Sequence, residues 1–190
     1  MDVVTVDELL TKDIKGKVIC FPTDTVYGVG CLVSDSESIE RIYELKERDY
    51  SKPLAILTGS YDISKYVKGV NDKARDLMNK YWPGALTLIF KKTNLIPNSV
   101  TSNLDTVGLR MPNSKIALKI LKHFGLMATT SINISGMPPL NDFDEIVKNF
   151  SDKIDYIVSD KEVLSTVSST VVDATSENLK VLRQGKIKIN

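Results

Sequence analysis

The sequence of 190 residues predicts an α/β protein in which helices cover a mixed β-sheet. Segments with helical periodicity alternate with short strand-like segments along the whole chain. Several of the strand-like segments are continuous apolar runs, which is typical of strands that are buried on both faces. The order of elements is not a regular βαβ repeat, so we do not predict a doubly wound nucleotide-binding fold.

Apolar residues at a spacing of three and four predict five helices. These helices cover residues 6–15, 36–47, 71–81, 114–124 and 143–150. In the second helix, Ile39, Ile42 and Tyr43 recur on one face, and the same periodicity places Lys46 on that inward face. This spacing therefore predicts that the lysine at the C-terminal end of the helix is buried or half-buried.

Residues at the helix ends agree with this assignment. Ser36 and Asn71 stand where the N-caps of the second and third helices are expected, since their side chains can accept from free backbone N–H groups. Gly125 follows the fourth helix and is the residue type that most often ends a helix.

Eight short runs rich in apolar residues are predicted strands. They cover residues 18–21, 54–57, 86–90, 107–111, 126–130, 154–158, 170–172 and 179–182. Pro and Gly residues separate these elements, and Pro112 ends the fourth strand. Because the chain shows no repeat, low-complexity segment or linker, we expect a single domain over residues 1–190.

The composition limits the class of protein. Lys and Arg total 25 and Asp and Glu total 24, so the net charge is +1 and argues against binding of nucleic acid through bulk charge. A local basic groove is still compatible with this balance. No run approaches the roughly 18 apolar residues of a membrane helix, and the N-terminus is charged and amphipathic, unlike a signal peptide. We expect a cytoplasmic protein without membrane contact.

The cysteines and the histidine do not predict a metal site. Cys20 and Cys31 lack the spacing of metal-binding pairs, and His123 is the only histidine in the chain. We interpret both cysteines as reduced thiols in the core.

The segment 46-KERDYSKPLAIL-57 places Lys46, Arg48 and Lys52 just before a predicted buried strand. Cations near a helix C-terminus are favoured by about 0.3–1 kcal/mol through the helix dipole, which is one explanation. These cations, however, converge on a chain reversal fixed by Pro53. We therefore interpret them as the rim of a cavity that binds a polyanion such as a triphosphate.

The segment 21-FPTDTVYGVG-30 combines hydroxyls with glycines at the end of a predicted strand. Thr23 and Thr25 point the same way if the backbone is extended, and Gly28 and Gly30 let backbone approach a ligand. The same pattern is equally typical of a strand end with turn glycines, so the segment alone is a weak indication of a site.

The segment 128-ATTSINISG-136 alternates polar and apolar residues. The alternation places Thr129, Ser131, Asn133 and Ser135 on one face. This face is either a solvent-exposed edge or a hydrogen-bonding floor for a ligand with many acceptors.

Three further residues are ambiguous on their own. Arg110 ends an apolar strand and either reaches solvent or is buried against an anion. Ser169 and Arg183 are interpreted as surface residues when they are taken alone. Trp82, the only tryptophan, is expected to be a structural wedge at the corner before the 86–90 strand.

The segments described above contribute hydroxyls, amides and cations, which are residue types that bind and align anions. The sequence contains neither a Walker loop nor a Rossmann fingerprint, and a single histidine makes histidine-based acid–base catalysis a poor expectation. Hydroxyls, amides and cations would catalyse by positioning and charge stabilisation rather than by a protein nucleophile.

Taken in order, seven segments resemble the YrdC-like family of L-threonylcarbamoyladenylate synthases. The segments are FPTDTVYGVG, KER with SKPL, YWPGALTLIF, TVGLRMP, TSINISG, SSTVVD and LRQG, spread over residues 16–185. The resemblance implies a YrdC-like fold, in which a twisted mixed β-sheet with flanking helices surrounds a large, positively lined cleft. The chain length is similar to that of the short, single-domain members.

The resemblance also implies a reaction. L-threonine, bicarbonate and ATP would give threonylcarbamoyl-AMP and pyrophosphate, with Mg²⁺ accompanying the nucleotide. A threonylcarbamoyl-transferase complex would then modify an adenosine next to the anticodon of tRNA, and direct contact with tRNA is left open.

The resemblance also implies roles for the residues of this chain that stand at the functional positions of the family motifs. Lys46 and Arg48 would hold the triphosphate and act in catalysis. The nucleotide would contact Lys46, Arg48, Lys52, Thr106, Ser131, Asn133 and Arg183. Threonine would contact Thr25, Arg110, Thr129 and Ser169, with Arg110 on its carboxylate. No metal ligand is implied.

Four positions depart from the family pattern. Asp49 replaces a proline, Ser168 a glutamate or similar residue, Leu57 a histidine and Pro139 a serine. The departures concern mainly the amino-acid end of the expected pocket. Three alternatives are considered. The first is a non-catalytic module of the same fold that binds double-stranded RNA or tRNA, and the second is a member of the fold that lost synthase activity. The third is the adenylating domain of carbamoyltransferase maturation enzymes.

Overall fold

The computed structural model describes residues 1–162 and 164–189, and in this part of the chain ten strands form one mixed sheet with six helices around it. The strands are β1 (Asp2–Val4), β2 (Ile19–Pro22), β3 (Tyr27–Leu32), β4 (Ala55–Leu57), β5 (Leu86–Lys91), β6 (Thr106–Arg110), β7 (Met127–Ser131), β8 (Tyr156–Val158), β9 (Thr170–Asp173) and β10 (Lys180–Arg183). The helices are α1 (Val6–Leu9), α2 (Ser36–Lys46), α3 (Asp72–Tyr81), α4 (Asn98–Thr101), α5 (Lys115–Phe124) and α6 (Phe143–Phe150).

The strand order across the sheet is β1-β8-β2-β3-β7-β4-β6-β5-β9-β10. Neighbours are parallel in the pairs β1/β8, β2/β8, β4/β6 and β5/β9, and antiparallel in the other five pairs. The sheet is therefore mixed and twisted, with flanking helices, and the predicted fold class is confirmed.

All predicted helices and strands are present, although several of their bounds differ. The first helix ends at Leu9 rather than residue 15, because Thr11 and Lys12 donate to carbonyls three residues back and the chain leaves the α-helical path. Asp35, not Ser36, caps α2 by accepting from the backbone N–H of Ser38 at 3.1 Å. Asn71 caps α3 as predicted.

Two strands and one short helix were not predicted. The short β1 forms by parallel pairing with β8, which lies more than 150 residues further along the chain. The strand β3 contains Gly28 and Gly30, which suggested a turn. In the sheet, a Cβ at Gly30 would lie only 2.7 Å from Oγ1 of Thr129, so glycine allows β3 to pack closely on β7. The helix α4 is a single turn.

The two faces of the sheet bury different cores. Ile19, Phe21 and Met127 point into a smaller core with α1 and α5. The alternate residues, including Cys20 and Ala128, point into a larger core with α2, α3 and α6. Leu57 of β4 belongs to this smaller core and also lines a cleft, so the cleft lies on the face of the sheet that carries α1 and α5.

The predicted core residues behave as expected. Cys20 and Cys31 are both buried free thiols, and burial raises the pKa of Cys31 to about 12. Trp82 is buried and donates from Nε1 to the carbonyl of Leu86 at 2.8 Å, which confirms its structural role. Among the helices in the described ranges, none has the length and apolar character to cross a membrane.

Candidate active site

The cleft has a volume of about 330 Å³, within the usual range for small-molecule sites. Successive strands contribute alternate residues to it: Ala55 and Leu57 from β4, Thr87 and Ile89 from β5, Gly108 and Arg110 from β6, and Thr129 and Ser131 from β7. Three arginines, Arg48, Arg110 and Arg183, also line it. No Asp or Glu occurs among its described lining residues, so the cleft is positively lined as predicted.

Arg110 is buried in the wall of the cleft and is held by three groups. Its Nη2 pairs with the carboxylate of Asp24, its Nη1 donates to Oγ1 of Thr25 at 2.9 Å, and its Nε donates to the carbonyl of Gly84 at 3.0 Å. Burial lowers the pKa of Arg110, and the charge of Asp24 opposes this change. Of its five N–H groups, two are left for an anion in the cleft. Of the two alternatives for Arg110, the structure shows the buried one, and the anion against which the side chain is buried is the carboxylate of Asp24.

Thr23 and Thr25 share one side of a tight turn. Their hydroxyls lie 3.1 Å apart, and the hydroxyl of Thr23 donates to the carbonyl of Val26 at 2.7 Å. Both residues line the cleft, and Thr25 accepts from Arg110. The turn therefore fixes the orientation of the arginine.

Lys46 lies behind the cleft wall rather than in it. Its side chain is 1% exposed, and its Nζ donates to the carbonyls of Ser131 at 2.5 Å and Asn133 at 3.0 Å, and to Oδ1 of Asn133 at 2.7 Å. Desolvation, and secondly the charge of Arg48, lowers its pKa to about 7. The inward direction predicted by periodicity is confirmed. In this structure, however, the ammonium binds protein oxygens and does not face the cleft.

Arg48 faces the cleft at the chain reversal after α2. Glu47 ends the helix in a left-handed conformation with φ of 49°, which turns the chain back. Arg48 then donates from Nε to the carbonyl of Lys52 and from Nη2 to that of Pro53, both at 3.0 Å. The reversal is thus fixed by the same guanidinium that lines the cleft.

Lys52 and Thr106 do not line the cleft. The side chain of Lys52 is exposed, and its backbone carbonyl accepts a hydrogen bond from Tyr43 Oη at 2.9 Å, which connects the loop to α2. Thr106 begins β6 opposite Lys91, four residues before Arg110. Of the three cations predicted to rim the cavity, only Arg48 does so.

The polar face predicted over residues 129–135 reaches only as far as Ser131, because β7 ends there. Thr129 and Ser131 line the cleft. Asn133 is buried behind them and accepts from Ser131 Oγ at 2.7 Å, while its Nδ2 donates to the carbonyls of Ile134 and Met137. The backbone N–H of Ser135 donates to the carbonyl of Lys46 at 2.7 Å. Asn133 and Lys46 therefore hold in place the end of β7 that carries the cleft-lining hydroxyls.

Ser169 was wrongly interpreted as a surface residue when taken alone, whereas Arg183 is exposed, in agreement with that interpretation. The family resemblance placed both residues in the site. Ser169 is buried, and both residues line the cleft. Arg183 donates from Nη2 to the carbonyl and the hydroxyl of Ser169, at 2.9 and 3.1 Å. The hydroxyl of Ser169 also lies 2.9 Å from Oγ1 of Thr87.

Thr87 is a cleft residue that the sequence analysis missed. It is the one polar residue in the run Leu86–Phe90, and a lone hydroxyl in an otherwise apolar buried strand is the signal that could have identified it. Two of the positions that depart from the family pattern, Leu57 and Ser168, also line the cleft.

The arrangement suits an anionic ligand that is held by charge and hydrogen bonds. Three guanidinium groups provide fixed positive charge, and a row of hydroxyls provides donors and acceptors. No cluster of three or more His, Cys, Asp or Glu side chains that could hold a metal ion occurs in residues 1–162 or 164–189.

The chain is similar to proteins of one known family. The family model Sua5_yciO_yrdC, described as telomere recombination, matches residues 14–185. A protein named threonylcarbamoyl-AMP synthase from Pyrococcus abyssi is 36% identical over 177 residues, which cover 92% of this chain but 52% of the relative. A putative threonylcarbamoyl-AMP synthase from Methanocaldococcus jannaschii is 33% identical over 184 residues, covering 96% of this chain and 86% of the relative.

The fold has solved counterparts. The crystal structure of P. abyssi Sua5 complexed with L-threonine matches with a TM-score of 0.91 and 33% identity, over 97% of this chain and 58% of that chain. The chain thus spans about half the length of the P. abyssi relative and most of the length of the M. jannaschii one.

Proposed function

The chain belongs to the Sua5/YciO/YrdC family, and on that premise we propose that it is a threonylcarbamoyl-AMP synthase. It would convert L-threonine, bicarbonate and ATP into threonylcarbamoyl-AMP and pyrophosphate, which makes it a nucleotidyltransferase. The product would supply the threonylcarbamoyl group for modification of the adenosine next to the anticodon of tRNA.

One observation carries this proposal: the cleft combines three arginines with a row of hydroxyls and lacks carboxylates among its described lining residues. Such a surface suits a ligand that has an anionic group at each end, such as an amino acid held next to a triphosphate. Arg110 has two N–H groups left for a carboxylate after binding Asp24, Thr25 and Gly84.

At the amino-acid end, Arg110 would bind the carboxylate of threonine, and Thr25, Thr129 and Ser169 would surround it. The ammonium group loses a proton to water, and the amine then attacks the carbon of bicarbonate. The C–N bond forms, a C–O bond of bicarbonate breaks, and its oxygen leaves as water to give a carbamate. The protein contributes chiefly by holding the amine and bicarbonate close together.

At the nucleotide end, an oxygen of the carbamate attacks the α-phosphorus of ATP. A bond forms from this oxygen to phosphorus, the bond from the α-phosphorus to the bridging oxygen breaks, and pyrophosphate leaves with the electron pair. Arg48 and Arg183 would stabilise the negative charge that grows on the phosphate oxygens. Lys46 would contribute indirectly, because it holds Ser131 and Asn133 in position. Lys52 and Thr106 are still predicted to contact the nucleotide.

Mg²⁺ fits this scheme only as a companion of ATP. The described lining residues supply hydroxyls and guanidinium groups rather than the carboxylates that bind Mg²⁺, so the phosphates of the nucleotide would carry the ion. When bound, Mg²⁺ would neutralise part of the phosphate charge. The residues of the chain would then orient the phosphates and exclude water.

The proposal extends to partners. Threonylcarbamoyl-AMP is a reactive mixed anhydride, and a threonylcarbamoyl-transferase complex acting on tRNA would consume it. We propose that this reaction takes place in the cytoplasm.

The decisive experiment measures pyrophosphate release from ATP in four mixtures: with threonine and bicarbonate together, with each alone, and with neither. We expect release only when both are present, and Arg48→Ala should abolish most of it. If ATP binds but no mixture gives turnover, the proposed activity is wrong. RNA binding that weakens steeply with salt, without pyrophosphate release, would then favour the RNA-binding alternative.

A further inference from the structure

Thr87 is buried in the wall of the cleft, and none of the roles given above uses it. Its neighbours in β5, Leu86 and Leu88, are fully buried in the core, whereas its hydroxyl lies 2.9 Å from that of Ser169. We propose that Thr87 is a specificity-determining residue, which together with Ser169 recognises the side-chain hydroxyl of the amino-acid substrate. This inference rests on the proposed function and deepens it.

The sheet places Thr87 at the end of the cleft that contains Arg110. Strands β5 and β6 are antiparallel, with Leu88 opposite Leu109 and Ile89 opposite Gly108. Thr87 and Arg110 are the next residues of the two strands beyond the last paired residues, and both line the cleft on the same face of the sheet. A substrate carboxylate on Arg110 would therefore bring its side chain close to Thr87.

The direction of the Thr87 side chain is fixed by packing. A Cβ at Gly108 would lie 3.3 Å from Cγ2 of Thr87, so the methyl group occupies the space above that glycine. β-branched side chains have few alternatives at χ1. With the methyl group on Gly108, the hydroxyl is directed to Ser169.

The hydrogen bonds of Ser169 determine what the pair offers to a ligand. Arg183 can only donate, and its Nη2 takes one lone pair of Ser169 Oγ at 3.1 Å. One of the two hydroxyl protons joins Thr87 to Ser169, whichever residue donates it. The pair then keeps one free proton and has free lone pairs in the wall of the cleft.

A ligand hydroxyl matches this pair because it can accept the free proton and donate to a free lone pair at the same time. A ligand that has hydrogen in place of the hydroxyl leaves both groups unpaired in a buried wall. Sites built around a hydroxyl reject such analogues strongly for this reason. L-2-aminobutyrate is threonine without its hydroxyl, so it is the probe for this subsite.

The test compares wild type with Thr87→Val, which keeps the shape but removes the hydroxyl, and Thr87→Ser, which keeps the hydroxyl. Pyrophosphate release is measured with L-threonine and with L-2-aminobutyrate, and thermal melting reports whether each variant is folded. For Thr87→Val we expect the preference in kcat/KM for threonine to fall about tenfold, with the KM for ATP unchanged. Thr87→Ser should keep the preference of wild type.

The outcomes separate the two proposals. If wild type requires threonine and Thr87→Val keeps the same preference, the specificity role is wrong and the proposed activity stands. If Thr87→Val melts at a lower temperature and is unfolded in the assay, the result for Thr87→Ser tests the specificity role instead. A folded Thr87→Ser that lost the preference for threonine over L-2-aminobutyrate would also contradict the role. If wild type shows no threonine-dependent release, the proposed activity fails and the specificity role fails with it.

Discussion

The ammonium of Lys46 and the side chain of Asn133 form a buried contact of 2.7 Å that connects the end of α2 to the segment after β7. The same ammonium also donates to the carbonyls of Ser131 and Asn133. Because Ser131 lines the cleft, Lys46 fixes one wall of the site without facing the ligand.

Lys46→Met should therefore reduce both stability and activity. Methionine fills the space but removes the donor from two carbonyl oxygens and from Asn133 Oδ1, which still accepts from Ser131 Oγ. Buried acceptors that lose their donor cost about 1–3 kcal/mol of unfolding free energy. Turnover should fall because Ser131 is no longer held.

Lys92→Met is the matched control: Lys92 is buried and donates to the carbonyl of Ile96 and to Asn98, away from the cleft. It should lose stability while the folded fraction keeps its turnover per molecule; equal loss of turnover in both variants would contradict the assignment.

The lowered pKa of Lys46 predicts a pH dependence of stability. Burial brings this pKa to about 7, whereas an unfolded lysine keeps its proton to about pH 10.4. Above pH 7 the unfolded state binds more protons at this site than the folded state, so the contribution of Lys46 to unfolding free energy increases with pH. Below pH 7 both states are protonated, and the cost of the buried charge is fully present.

Urea unfolding of wild type and Lys46→Met at a series of pH values measures this effect. The unfolding free energy of wild type minus that of the variant should increase between about pH 7 and about pH 9. A difference that stays constant over this interval would mean that the buried ammonium keeps its proton throughout.

Arg48→Ala should slow turnover by roughly a hundredfold or more, because removal of one charge-stabilising donor typically costs about 2.7–4 kcal/mol. Arg48 also holds the loop through Lys52 and Pro53, so Arg48→Lys should recover only part of the activity. Arg75→Ala removes a cation of the same type on α3, outside the cleft lining, and serves as the control. Near wild-type turnover in Arg48→Ala would refute the role of this guanidinium.

Local pattern was enough to predict the layers of the fold and the inward direction of Lys46. The spacing of Ile39, Ile42 and Tyr43 indicates a buried face, and the structure confirms that face. The partner oxygens of Lys46 could not be predicted this way, because they come from residues more than 80 positions further along the chain.

The same limit explains the error for Ser169, and it explains why the cleft position of the exposed Arg183 could not be predicted locally. Ser169 is buried because β9 pairs in parallel with β5, which is distant in sequence, and Arg183 reaches it across the β9/β10 pair. Neither pairing leaves a periodic signal in the short segments themselves. The family resemblance placed both residues in the site, although their local sequence suggested the surface.

Asp24→Asn tests the buried ion pair with Arg110. The substitution keeps the shape of the side chain but leaves the guanidinium without a charged partner, and breaking a buried pair typically costs about 3–5 kcal/mol. If Arg110 binds the substrate carboxylate, threonine would replace the missing anion. We therefore expect saturating L-threonine to raise the melting temperature of Asp24→Asn more than that of wild type.

The exposed pair between Lys119 and Asp7 supplies the control for this measurement. Its side chains are 53% and 76% exposed, so Asp7→Asn should change the unfolding free energy by at most about 1 kcal/mol. Threonine should then raise the melting temperature of Asp7→Asn as much as that of wild type. If threonine stabilised Asp24→Asn no more than it stabilises wild type and Asp7→Asn, the carboxylate would bind elsewhere, and Arg110 would act only as a structural support for the turn at Thr25.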